Sequence, residues 1–139
     1  MIVKGRVEYQ LDASALLAVM LMEPGHERVR AVLDNASIHS VNVAEVIAKL
    51  VRAGVPLKAA RESIEELHLS LGEELLLGQA AECGALIAAT RAQGLSLGDC
   101  ICLTSALAAD RVAVTAERRW KELEGRQISG VSLRVELIR

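Results

Sequence analysis

The sequence predicts an α/β fold: a parallel sheet of about five strands, covered on both faces by helices. Three observations carry that expectation. Short apolar runs alternate with longer amphipathic stretches from end to end, the pattern of strands joined by helical crossovers. The run Val112-Ala113-Val114 is apolar at every position, as a strand buried on both faces must be. No repeat, low-complexity segment, charge run or linker interrupts the 139 residues, so residues 1–139 are expected to form one domain.

Val7 to Leu11 is the candidate first strand, and Asp12-Ala13-Ser14 leads from it into an apolar helix over Ala15 to Leu21. Pro24-Gly25 breaks the pattern. Glu27 to Leu33 resumes it, with Val29, Val32 and Leu33 on one face and Asn35 as its end. Ser37 to Val41 reads as a second strand. Asn42-Val43-Ala44-Glu45 then opens a helix through Ala53 that Gly54 closes. Pro56 starts a further helix with Ala60, Ile64 and Leu67 facing inward.

Leu67 to Leu71 reads as a weak strand, which periodicity alone leaves ambiguous. Glu73 to Thr90 reads as a long Ala- and Leu-rich helix with so little charge that most of its circumference should be covered, by this domain or by a second copy. Leu97 to Ala109 is helical, with Ile101, Leu103, Ala106 and Leu107 at helical spacing, and a second helix is expected from Glu117. Gly125 to Gly130 turns the chain into Val131 to Leu137, whose strict alternation predicts a half-exposed edge strand.

Hydrophobic residues make up 52% of the chain, with no Phe, one Tyr and one Trp, so the core must be built from Leu, Ile, Val and Ala. A net charge of -2 excludes a globally basic surface. Nucleic acid, if handled, must be gripped by a local patch. The three cysteines, Cys83, Cys100 and Cys102, have no zinc-site spacing and are expected to be reduced core thiols. The opening Met-Ile-Val-Lys-Gly-Arg-Val-Glu carries charges where a signal peptide needs an apolar run, and no stretch approaches membrane-spanning length, which points to the cytoplasm.

Asp12, Glu45, Asp99 and Glu117 are the candidate functional residues. Each has a structural explanation: Asn42 with Glu45 and Ser96 with Asp99 have capping-box spacing, and Glu117 lies in a first turn behind Thr115. Together they would lie along one edge of a parallel sheet, where such folds bind ligands. Clustered carboxylates raise one another's pKa unless something positive stands between them. A hard divalent cation, Mg²⁺ or Mn²⁺, suits such oxygen ligands. No Gly-rich phosphate loop occurs. A haloacid-dehalogenase-like phosphatase would need an acid where Ser14 stands, and a receiver domain would need an acid pair and a Lys that are missing here.

Three segments carry a family likeness: Leu11-Asp12-Ala13-Ser14-Ala15-Leu16, Val41-Asn42-Val43-Ala44-Glu45-Val46, and Leu97-Gly98-Asp99 followed by Val114-Thr115-Ala116-Glu117-Arg118. In this order and spacing the chain resembles the PIN-domain ribonucleases, specifically the VapC-type toxins of toxin–antitoxin pairs. The resemblance implies a three-layer α/β/α sandwich and a Mg²⁺- or Mn²⁺-dependent endoribonuclease that hydrolyses RNA to 5′-phosphate and 3′-hydroxyl ends. Asp12, Glu45 and Asp99 would bind metal and serve catalysis with Glu117, although the family more often has Asp at that last position. Ser14, Asn42 and Thr115 match supporting polar positions. Arg91, Arg118, Arg119 or Lys121 could guide RNA. A small antitoxin placing a basic residue in the acidic site and a homodimer complete the expectation. The rival reading is a PIN-like binding module that has lost nuclease activity.

Overall fold

The computed structural model describes residues 5–128 and 131–139. Five parallel strands form the main sheet: β1 (Tyr9–Leu11), β2 (Ala36–His39), β3 (Ser70–Glu73), β4 (Val112–Thr115) and, last in sequence, β7 (Val135–Leu137). Their order is β3-β2-β1-β4-β7, which puts β1 at the centre. Leu11 is in register with both Ile38 and Val114. The residues that follow β1, β2 and β4 therefore emerge side by side at one edge.

Helices α1 (Ala13–Leu21), α2 (His26–Val32), α3 (Ser40–Arg52) and α4 (Leu57–Glu65) serve one face of the sheet. Leu11, Ile38 and Val114 point into that layer and pack with Leu16, Val29, Val46 and Ile64. Helices α5 (Leu77–Ala89) and α6 (Leu97–Ala109) cover the other face, where Ala113 and Val135 meet Leu86, Ile101 and Leu103. Layer, sheet, layer is the sandwich the alternation predicts. Nearly all of α6 from Gly98 to Leu107 is buried, because it lies between the sheet and α5. The three cysteines are unpaired and buried in this second layer. Among the described residues no helix is long and apolar enough to cross a membrane.

Trp120 sits in this layer with no exposed surface, and its indole N–H finds no partner among the described residues. An unpaired buried donor costs about 1–3 kcal/mol. Burial of a Trp side chain, whose truncation in a core costs about 3–5 kcal/mol, offsets that.

Where α1 ends, Met22 adopts a left-handed conformation and Gly25 follows with φ +94°. A Cβ on Gly25 would stand 2.4 Å from the Ile138 carbonyl oxygen, so the chain reverses against β7 only because that residue is glycine.

Several boundaries differ from expectation, each for a physical reason. β1 starts at Tyr9 rather than Val7, since pairing on both sides begins there. α2 gives way to a 3₁₀ turn at Leu33–Asn35. Glu73 is the last residue of β3, not the first of α5. Its carboxylate accepts from Ser37 and from Gln10 (3.0 Å) and pairs with Arg111 (3.3 Å), a half-buried network that overrides local helix propensity.

The helix expected from Glu117 is a 3₁₀ segment, Arg118–Leu123. The single strand expected over Val131–Leu137 is two: β6 (Val131–Ser132) pairs antiparallel with β5 (Gln127–Ile128), and β7 joins the main sheet. Of the turn expected over Gly125 to Gly130, Ser129 and Gly130 lie outside the described residues, as do Met1 to Lys4.

Candidate metal centre

Asp12 follows β1 directly and caps α1, accepting from the Ala15 amide at 2.8 Å. Ser14 Oγ donates to the same carboxylate at 2.7 Å, and Thr115 Oγ1 donates to Oδ2 at 2.5 Å. Only 5% of Asp12 is exposed. Burial pushes its carboxyl up to about 6, against the pull of Thr115, Ser14 and Ala15, and the nearby Asp99 charge adds to the rise. This carboxylate is short of positive charge.

Ser14 and Thr115 have a second task. Ser14 Oγ accepts from the Ala116 amide at 2.9 Å, and Thr115 Oγ1 accepts from the Glu117 amide at 2.9 Å. Each hydroxyl thus ties the acid after β1 to the chain leaving β4. Thr115 is fully buried behind Asp12.

Asp99 sits in the first turn of α6 and completes the capping box that its spacing predicts: Ser96 N donates to Oδ2 at 2.9 Å, and Asp99 N donates to Ser96 Oγ at 3.1 Å. One carboxylate oxygen is engaged and the group still faces the cleft.

The second capping box is absent. The helix α3 starts two residues earlier than Asn42, capped by His39, whose Nδ1 accepts from the Val41 amide at 3.1 Å. Asn42 is instead buried between α3 and α6, where its Nδ2 donates to Glu45 Oε2 at 3.1 Å and to the Gly98 carbonyl at 3.0 Å. A Cβ on Gly98 would lie 1.9 Å from Glu45 Oε1. Glycine at 98 is what leaves room for this carboxylate.

Glu117 caps the 3₁₀ segment and is held by Arg119, whose Nε donates to Oε1 at 2.9 Å. That bond keeps Glu117 below the usual carboxylate pKa. Arg119 also donates to the Gln93 carbonyl at 3.2 Å, so it is occupied.

All four acids line one cleft of about 380 Å³, together with Ala13, Ser14 and Ala48. Their donors are all oxygen, which suits Mg²⁺ or Mn²⁺ in chemistry. As placed they ring the cleft rather than converge: among the described residues no three of His, Cys, Asp or Glu stand close enough to hold a metal ion. Glu45, drawn to Asn42, and Glu117, drawn to Arg119, would have to turn inward around the Asp12 and Asp99 pair.

Of the basic residues singled out in the sequence, Arg91, Arg118, Arg119 and Lys121, none lines this cleft; Lys121 pairs with Glu124 at 2.5 Å. The cations that do line it are Lys49 and Arg52. They follow Glu45 by four and seven residues, the spacing that puts side chains on one helix face, and that spacing was the available signal.

Residues 9–126 match the family model for the PIN domain. No curated protein matches the sequence. Among solved structures, the chain is similar to the DNA-bound VapBC of Salmonella typhimurium, at 18% identity and TM-score 0.70 over 96% of this chain and 99% of that one. It is also similar to VapBC2 of Rickettsia felis bound to a promoter DNA fragment, at 16% identity and TM-score 0.68 over 93% and 97%. VapBC-1 from nontypeable Haemophilus influenzae is similar at 19% identity and TM-score 0.64 over 94% and 97%.

Proposed function

This chain belongs to the PIN domain family, whose members are generally nucleases, and on that premise we propose that it is a Mg²⁺- or Mn²⁺-dependent endoribonuclease acting as the toxin of a VapC-type pair. One observation carries the reading: four acids from separate elements line a single cleft at the edge of the sheet where β1 and β4 end.

Asp12, Glu45, Asp99 and Glu117 are the residues that would hold the cation. When bound, such a cation supplies Lewis acidity that activates water and offsets charge on a phosphodiester. The protein's own residues set the stage for it. Thr115 and Ser14 hold Asp12 ionised and oriented, Ser96 fixes Asp99, and Asn42 anchors Glu45 beside the glycine that admits it. Support of this kind fixes the Asp12 and Asp99 pair, around which Glu45 and Glu117 would turn inward to complete the ligand set.

A protein partner follows from the same electrostatics. The cleft holds four carboxylates against two cations, so a basic side chain is a fitting plug, and Arg offers a fork for two carboxylate oxygens. We assign that plug to a small antitoxin. A second copy of this chain is the proposed cover for the outer face of α5, where Leu77, Ala81, Gly84, Ala85 and Ala88 are exposed.

The test is cleavage of single-stranded RNA by the purified chain with and without Mg²⁺. Metal-dependent cleavage that Asp12→Asn and Asp99→Asn each abolish supports the reading. A metal-insensitive, inactive wild type supports the rival reading, a binding module without nuclease activity.

A further inference from the structure

Among the described residues the cations of the cleft have no ion-pair partner. Lys49 and Arg52 are exposed, line the cleft, and make no salt bridge among the described residues. Lys49 stands four residues after Glu45, the Glu-first order that favours pairing on a helix. On α4 the less favourable Lys- or Arg-first order does pair, Lys58 with Glu62 at 3.7 Å and Arg61 with Glu65 at 2.7 Å. Glu45 is diverted because Asn42 takes one carboxylate oxygen and Gly98 leaves room for the other. The same interactions that hold Glu45 against Asn42 and Gly98 therefore leave Lys49 unneutralised.

We propose that Lys49 and Arg52 bind the phosphates of the RNA strand next to the scissile one, a role that rests on the nuclease reading above. Glu45, Lys49 and Arg52 form a stripe along one face of α3, with about one helical turn of 5.4 Å between successive members. That spacing is comparable to the separation of successive backbone phosphates. A polyanion entering a cleft of four carboxylates is repelled, and two unpaired cations on one wall reduce that cost. They also fix the side by which the strand leaves, along α3 toward its C-terminus. Arg119 cannot serve, being committed to Glu117 and Gln93.

Both cations lie in the last turns of α3, where they also complement the helix dipole. The experiment must separate the two roles. A short fluorophore-labelled single-stranded RNA is titrated in EDTA, where metal-dependent cleavage does not run, at several salt concentrations. The proteins are the wild type, Lys49→Gln/Arg52→Gln, and the charge-conserving Lys49→Arg/Arg52→Lys.

The Gln pair should bind roughly tenfold more weakly at low salt, and its slope of log affinity against log salt should be shallower by about 1.4, about 0.7 for each phosphate that is no longer neutralised. The charge-conserving pair should keep the wild-type slope. In Mg²⁺ the Gln pair should raise KM with kcat close to wild type. Unchanged affinity and slope in the Gln pair, with or without a lowered melting temperature, would overturn the proposal, as would the same loss of slope in the charge-conserving pair. A wild type that binds RNA through these cations but never cleaves it defeats the nuclease reading alone. Cleavage with unaltered binding defeats this inference alone.

Discussion

Thr115 Oγ1 donates to Asp12 Oδ2 at 2.5 Å across the junction of β4 and β1, with both residues buried. This bond holds an acid ionised where burial favours its neutral form. Thr115→Val keeps the shape and removes the donor, so the Asp12 pKa should climb further above about 6. The pH at which Mn²⁺ binding reaches half its plateau should rise with it. A calorimetric Mn²⁺ titration at about pH 5.5 to 8 checks this, and an unchanged midpoint would show that the bond does not tune Asp12.

Asp12 also makes metal-free stability depend on pH. Its folded pKa lies above its unfolded value, so the folded state binds the proton more tightly. The stabilisation is complete below about 3.8 and is lost as pH rises through about 6. The full swing is about 3 kcal/mol. Asp12→Asn should therefore be more stable than wild type at pH 7 without metal, with a gain that shrinks toward pH 4. Denaturant unfolding of both proteins at the two pH values reads the difference, and an Asn variant less stable at pH 7 would contradict it.

Gly98→Ala should expel Glu45 from its place, because the new Cβ would stand 1.9 Å from Oε1. The displaced atoms are the far end of a flexible side chain beside an open cleft, so the fold should lose little stability. Metal affinity should fall to the level of Glu45→Gln. The double variant Gly98→Ala/Glu45→Ala should bind metal no more tightly than Gly98→Ala, which ties the loss to Glu45. Wild-type metal affinity in the double variant would remove Glu45 from the centre.

Glu117 is restrained by Arg119, so it is the acid least free to reach a metal. Glu117→Gln should cost less cleavage than Asp99→Asn. Arg119→Ala should release the carboxylate and tighten Mn²⁺ binding. Weaker binding in Arg119→Ala would mean that the pair supports the centre as it stands.

That the four acids share one cleft was legible because Asp12, Glu45 and Glu117 come after strands that end at the same sheet edge, while Asp99 opens the helix that leads into β4. Ser96 and Asp99 read correctly as a cap made by residues three apart. Asn42 and Glu45 misled because their spacing mimics a cap while His39 supplies the real one, a choice decided by where β2 stops. Glu73 could not be placed without its partners: Gln10 and Arg111 lie 63 and 38 residues away. Lys49 and Arg52 carry no mark in the sequence beyond their spacing from Glu45, and only the packing of α3 against α1 and α6 turns them toward the cleft.

The central claim is that Asp12, Glu45, Asp99 and Glu117 hold a catalytic divalent cation. Single-turnover cleavage of an RNA oligonucleotide, compared between wild type and Asp12→Asn in EDTA and then with Mg²⁺ restored, tests it most directly. The wild type should be silent in EDTA and recover with Mg²⁺, while Asp12→Asn stays at background in both. Undiminished cleavage by purified Asp12→Asn would contradict the claim.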